Sequence, residues 1–142
     1  MGNPDDPKYF AKLKQLSKDL NVTKYITFFG YISEKKKFDL LKRSHLLLHT
    51  SVTEGWGLVI PEANAMGTPA SVYNAPGLSD SVIHNKNGLV CRSNSPASLS
   101  DTCLSALKVT NYLALQKFSV KIAANYNWIN SIKKSLILIN SL

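Results

Sequence analysis

Short apolar runs alternate along this chain with longer stretches whose apolar residues recur at helical spacing. Across residues 8–21, Phe10, Leu13, Leu16 and Leu20 repeat every three or four positions with lysines between them, which predicts an amphipathic helix entered through Asp6-Pro7. Residues 25–29 are aromatic and β-branched and end at Gly30, the composition of a strand. Ser33-Glu34 opens a second helix with Phe38, Leu40 and Leu41 facing inward and Lys35-Lys36-Lys37 in solvent. Residues 45–49, His-Leu-Leu-Leu-His, are too few for a helix and read as a buried strand. A short helix follows from near Leu58 to Met66, stopped by Gly67-Thr68-Pro69. Residues 69–73 form the next strand, Asn74-Ala75-Pro76-Gly77 a loop, 79–83 a helical turn, Asn85-Lys86-Asn87-Gly88 a turn, and 89–92 a last strand. Ser95-Pro96 opens a helix through Lys108 with Leu99, Cys103, Leu104 and Leu107 on one face. Two more helices are expected at about 112–125 and 128–142, the last with an apolar stripe of Trp128, Ile132, Leu136 and Ile139. Alternating helices and short apolar strands predict an α/β fold with a parallel sheet of about four strands.

The chemistry concentrates in residues 51–67, SVTEGWGLVIPEANAMG. Two carboxylates, Glu54 and Glu62, flank the turn Gly55-Trp56-Gly57 and the apolar segment Leu58-Val59-Ile60. Glycines let a backbone approach a bound group closely, and the helix start near Leu58 offers unpaired N–H groups suited to phosphate. Pro61 fits the first turn of that helix. Helical side chains tilt toward the N-terminus, so Glu62 can face the same space as Glu54. The spacing by itself predicts one site with amide donors for phosphate and carboxylate acceptors for hydroxyls.

Charge adds one feature. The 142 residues carry 17 Lys and Arg against 9 Asp and Glu, a net charge of +8. After Asp101 the chain holds Lys108, Lys117, Lys121, Lys133 and Lys134 and no acid, a tail that fits weak contact with an anionic membrane surface. Aromatic-interleaved basic stripes and nucleic-acid modules are missing, so nucleic acid is not an expected partner. Cys91 and Cys103 form no C-x-x-C pair and read as reduced thiols of a cytoplasmic protein. His45 and His49 share a strand but lack a third ligand nearby, and satisfied core histidines are the expectation, with no metal. No G-x-G-x-x-G opens a helix, which disfavours a dinucleotide site.

The central stretch resembles the signature of retaining glycosyltransferases of the GT-B fold, family 4: Glu, seven residues, Glu, here Glu54, GWGLVIP, Glu62. Ser51, the Gly-aromatic-Gly turn, Glu62-Ala63-Asn64-Ala65 and Gly67-Thr68-Pro69 fit it as well. Ile26-Thr27-Phe28-Phe29-Gly30 resembles the family's strand and glycine before the base pocket, Asn87-Gly88-Leu89-Val90 its last strand, and Tyr126-Asn127-Trp128 the aromatic-x-Trp before its closing helix. The resemblance implies that the fold is the later part of a Rossmann-like C-terminal, donor-binding domain. It also implies a nucleotide-sugar as substrate, no metal and no cofactor. Glu54 would hold hydroxyls of the donor sugar and carry the catalytic role, and Glu62 would bind the ribose. Ser51, the backbone at Gly55, Trp56, Gly57 and Leu58, and Gly30-Tyr31-Ile32 beside the base would complete donor binding.

The same resemblance marks what to expect missing. Residues 1–142 correspond to a single, N-terminally truncated nucleotide-sugar-binding domain without the acceptor domain, and no Arg-x-x-x-x-Lys arrangement supplies cations for the diphosphate. Losing such charge-assisted contacts costs on the order of 2–4 kcal/mol in comparable anion sites, so little turnover is expected from this chain alone. The alternative is a non-catalytic interaction module or split-enzyme subunit that needs a partner, either a separate acceptor-domain chain or a second copy. An exposed sheet edge beside residues 45–49 would invite such a partner.

Overall fold

The computed structural model describes residues 6–126, which divide into two units between Lys37 and Phe38. The first unit is built on α1 (Pro7–Asp19), capped by Asp6, whose carboxylate accepts from the Lys8 and Tyr9 N–H groups at 2.8 and 3.2 Å. The helix unwinds at Asn21 (φ 55), where the Val22 N–H returns to the Ser17 carbonyl, and a 3-10 turn follows at Thr23–Tyr25. Its inward face is Phe10, Leu13 and Ser17; Leu16 and Leu20, expected there, are exposed. Phe10 meets Phe28 edge to face at 5.3 Å, and Lys14 Nζ lies 4.4 Å from the Phe10 ring centre.

The strand expected at residues 25–29 does not form. Tyr25 closes the 3-10 turn, residues 26–30 join no ladder, and Tyr25, Ile26, Phe28 and Phe29 are exposed. β-favouring side chains make a strand only when a neighbouring strand takes the backbone hydrogen bonds, and none pairs with this segment among the described residues. α2 (Glu34–Arg43) runs across the division between the units, its Lys36 N–H capped by the Ser33 hydroxyl at 3.3 Å.

Among the described residues the second unit holds a parallel sheet of three strands rather than four, β1 (Leu47–His49), β2 (Ala70–Val72) and β3 (Gly88–Val90), in the order β1-β2-β3. Leu47 pairs with Ala70 and Ala70 with Gly88; His49 pairs with Val72 and Val72 with Val90. These residues share one face. On it Leu47, Ala70, Val72 and Val90 pack against Ile60 of α3 (Val59–Ala65), Leu78 of α4 (Leu78–Ser81) and Val82. The opposite face carries Leu89, which packs with Ala106 of α5 (Pro96–Ala106), Leu115 of α6 (Val109–Ala123) and Leu46. Cover on both faces is what an all-parallel sheet requires, and β2, at the centre, is buried throughout.

α5 starts at Ser95, whose hydroxyl accepts from the Ser98 N–H at 3.2 Å. Its packing face differs from expectation: Ala106 is buried and Leu99 and Cys103 are half-buried, while Leu104 and Leu107 are exposed. The expected helix at 128–142 and its stripe of Trp128, Ile132, Leu136 and Ile139 lie outside the described residues. Among the described residues no helix is long and apolar enough to cross a membrane.

Candidate functional site

Parallel strands place the loops that leave their carboxyl ends side by side, and two such loops meet here. One, residues 50–58, leaves β1 and leads into α3; the other, residues 73–77, leaves β2 and leads into α4. Their contact is backbone on backbone at Gly77, which adopts φ +82, a conformation an L side chain strains to reach. A Cβ there would lie 2.2 Å from the Glu54 carbonyl oxygen and 2.9 Å from that of Gly55. The Gly77 N–H donates to Asp80 Oδ2 at 3.1 Å, and the Ser81 hydroxyl is shared between the Trp56 carbonyl and that of Gly77. One carbonyl of the first loop, that of Trp56, is thus held by a hydrogen bond from α4, while those of Glu54 and Gly55 pack directly against Gly77.

The Gly-Trp-Gly turn is fixed from the other side as well. Gly57 is buried at φ +59 between Ile60 and Leu78, either of which a Cβ would approach to 3.0 Å. The Trp56 ring stands edge to face against Tyr126, just beyond α6, with centres 5.2 Å apart. Among the described residues, the N–H groups of Gly55, Trp56, Gly57 and Leu58 donate to no other group of the chain. Leu58 precedes α3 without a side-chain cap. With only seven residues in α3, local amides supply the positive character expected there; the macrodipole of so short a helix adds little.

Of the acids, Glu54 is partly exposed and its Oε2 lies 3.6 Å from Nε2 of His49, the last residue of β1. His49 Nδ1 accepts the Ser51 N–H at 3.4 Å, and the Ser51 hydroxyl donates to the Thr53 carbonyl at 2.8 Å. Glu62 is half-buried in the first turn of α3, its N–H bonded to the Leu58 carbonyl at 3.3 Å. Ser51, Glu54, Gly55, Trp56, Gly57, Leu58 and Glu62 therefore belong to one loop and the helix turn that continues it. Gly30, Tyr31 and Ile32 belong to the first unit, where Gly30 takes φ +61 and Tyr31 is exposed. His45, expected in the core, is instead exposed outside β1 and faces Tyr112 at 5.8 Å, because the strand begins only at Leu47; His49 is half-buried.

Residues without an assigned role in the sequence hold this end of the sheet together. Asn87, read there as part of a turn and of the last-strand motif, is fully buried; its Oδ1 accepts from the Ile83 N–H at 2.7 Å, and its Nδ2 donates to Asn64 Oδ1 at 2.7 Å and the Ser81 carbonyl at 3.0 Å. Asn64 Nδ2 in turn donates to the carbonyls of Thr68 and Asn87, at 3.0 and 3.1 Å, and reaches Ser119 Oγ at 3.4 Å. The Thr68 hydroxyl donates to the Leu41 carbonyl, tying the end of α2 to the exit of α3. Asparagine amid apolar helical residues, as in Glu62-Ala63-Asn64-Ala65, was the available signal: a polar side chain on a buried face needs partners. Nothing local reveals that Asn87, 23 residues away, is one of them. A cleft of about 370 Å3 elsewhere, between β3 and α5, is lined by His84, Val90, Arg92, Asp101 and Ser105 and does not include these loops.

Comparison with known proteins places this architecture. A family profile described as "Glycosyl transferases group 1" matches residues 1–119. Among curated proteins, the chain is 26% identical over 131 residues to a D-inositol 3-phosphate glycosyltransferase of Corynebacterium urealyticum, covering 92% of this chain and 31% of the relative. It is 30% identical over 104 residues to an N-acetyl-alpha-D-glucosaminyl L-malate synthase of Bacillus anthracis, covering 73% of this chain and 26% of the relative. The chain thus spans about a third or less of these relatives. Among solved structures, HepE of Anabaena in complex with UDP and glucose superposes with a TM-score of 0.85 at 22% identity, over 99% of this chain and 39% of HepE. The C-terminal domain of the group 1 protein LpcC from Francisella tularensis superposes with a TM-score of 0.75 at 19% identity, over 87% of this chain and 65% of that domain. By sequence profile and by an α/β arrangement shared with GT-B structures, the chain belongs to the group 1 glycosyl transferases.

Proposed function

We propose that this chain is the donor-binding portion of a retaining, family 4 glycosyltransferase and takes a nucleoside diphosphate sugar. The observation that carries the reading is the loop 50–58: it presents Glu54 beside four amides without acceptors, and the contact at Gly77 holds it in place. The diphosphate takes the amides of Gly55, Trp56, Gly57 and Leu58. Glu54 accepts from hydroxyls of the sugar, and Glu62 accepts from the ribose. A carboxylate accepts several hydrogen bonds at once, the property hydroxyl-rich ligands require. HepE, of similar fold, was crystallised with UDP-glucose, which supports a donor of this class.

In the reaction the bond from the anomeric carbon to the diphosphate oxygen breaks and a bond to an acceptor hydroxyl oxygen forms on the same face, the acceptor's proton passing to the departing diphosphate oxygen beside it. Amides stabilise the departing diphosphate charge. Positioning of the acceptor supplies a large part of such a rate enhancement, and this chain spans less than a third of its D-inositol 3-phosphate glycosyltransferase relative; turnover therefore needs further protein. Titration calorimetry with UDP-glucose, GDP-mannose and ADP-glucose tests the reading. One of them binds, and Glu54→Gln and Glu62→Gln each weaken it about tenfold, the loss of a charged hydrogen-bond acceptor. No binding by folded protein, or unchanged affinity in both variants, refutes it.

A second reading, a module that works through a partner chain, draws on the exposed Ile26, Phe28 and Phe29 in a segment with no ladder. Light scattering after size exclusion tests this: a compact monomer at every concentration tried argues against a second copy as that partner.

A further inference from the structure

From the sequence His49 reads as a core histidine, yet its ring has two partners and both belong to the donor loop. The Ser51 N–H donates to Nδ1 at 3.4 Å, so that nitrogen carries a lone pair and the proton of the neutral ring sits on Nε2. Nε2 in turn lies 3.6 Å from Oε2 of Glu54. That separation is longer than a hydrogen bond, so the contact orients the carboxylate electrostatically without using up its capacity to accept hydroxyls. The imidazole comes off the last residue of a strand, not off a loop. His49 is paired with Val72, and its carbonyl accepts the Tyr73 N–H at 3.1 Å. A group anchored on the sheet is the more precise support for one carried on a loop.

We propose that His49 is a positioning residue for Glu54: fixed as the Nε2–H tautomer by the Ser51 amide, it holds Oε2 so that Oε1 is presented to the sugar of the nucleotide-sugar. The inference rests on the reading of Glu54 as the sugar ligand. It assigns His49 to the sugar half of the donor and not to the nucleotide half.

Two variants and a matched pair of probes test it. His49→Leu keeps bulk and removes the N–H; His49→Gln keeps an N–H donor at similar reach. With UDP-glucose against UDP (and GDP-mannose against GDP, ADP-glucose against ADP) in calorimetry, His49→Leu weakens the nucleotide-sugar about three- to fivefold, no more than a partly exposed contact to a carboxylate contributes. It changes the bare nucleotide by less than about twofold, and His49→Gln regains most of the loss. Equal losses for sugar and bare nucleotide, no loss, or failure of Gln to rescue overturns the proposal. A ligand-free arm separates its failure from that of the donor reading. Long-range 15N–1H spectra of the wild type show His49 as the Nε2–H tautomer, and Glu54→Gln shifts its Nε2 resonance selectively. An Nδ1–H tautomer, or indifference to Glu54→Gln, sinks the positioning role whatever binds, and also decides the matter if His49→Leu fails to fold. If the spectra are as expected and no nucleotide-sugar binds, the donor reading falls and the role of His49 falls with it.

Discussion

Replacing Gly77 by alanine asks whether the contact between the two loops is what holds the Glu54 loop in place. The added Cβ would sit 2.2 Å from the Glu54 carbonyl oxygen and 2.9 Å from the Glu54 carbonyl carbon. These are backbone atoms, and the oxygen must retreat by about 1 Å to reach ordinary contact. Backbone strain adds to the clash, because φ +82 with ψ −44 is a conformation alanine avoids. Strain of about 1–2 kcal/mol and overpacking of about 1–3 kcal/mol together suggest a loss of about 3 kcal/mol. For a chain of this size that corresponds to about 10 °C in Tm. Thermal denaturation followed by circular dichroism measures it. Gly55→Ala is the control: a Cβ at Gly55 meets nothing within 4 Å and no left-handed φ is required, so its Tm changes by no more than a degree or two. Donor affinity falls in Gly77→Ala as well, because the residue driven aside is Glu54 itself. A Gly77→Ala protein that melts with the wild type, or with the Gly55→Ala control, would show that the loops do not meet as described.

Other outcomes follow from the same structure. Asn87→Ala removes the partner of the Ile83 N–H, of Asn64 Oδ1 and of the Ser81 carbonyl in a buried setting, and about 3 kcal/mol or more of stability goes with them; urea denaturation reads the loss, and a midpoint near wild type would count against the network. Tyr126→Ala deletes the edge-to-face contact with Trp56, worth about 1 kcal/mol, and frees the loop 50–58; in a Trp128→Phe background the remaining Trp56 fluorescence becomes more accessible to acrylamide, and unchanged quenching argues against the contact. Burial raises the Cys103 thiol above its ordinary value, opposed by the Ser71 hydroxyl. With the thiolate scarce at pH 8, iodoacetamide labels Cys103 more slowly than free cysteine, and Cys91, buried, more slowly still until the protein unfolds; a fast reaction at either refutes that environment. A group whose thiol form is favoured by folding contributes most below its unfolded pKa, so this contribution to stability declines as pH rises past the ordinary thiol range.

Local chemistry determined much of this protein from its sequence. Asp6 and Ser95 are acceptors with a proline directly after them, and each starts the helix its position predicts. The runs around Leu47, Ala70 and Leu89 are too short and too apolar for helices, and all three pair in parallel, although the first, expected buried, lies at the sheet edge with Leu48 exposed. Glycine, aromatic and glycine between two acids marked the candidate loop because backbone approach and hydroxyl binding need those residue types at close range. Tertiary structure decided whatever depends on a partner distant in the chain. Residues 25–29 have strand chemistry and no strand, since a ladder needs a second backbone that no residue can supply for itself. Leu104 and Leu107 follow helical spacing yet face out, because Ala106, Leu115 and Leu89 set the packed face of α5. Asn64 finds Asn87, Gly77 meets Glu54, and His49 reaches Glu54 across a loop. Periodicity records which side of an element is apolar; which atoms meet is settled only when the elements pack.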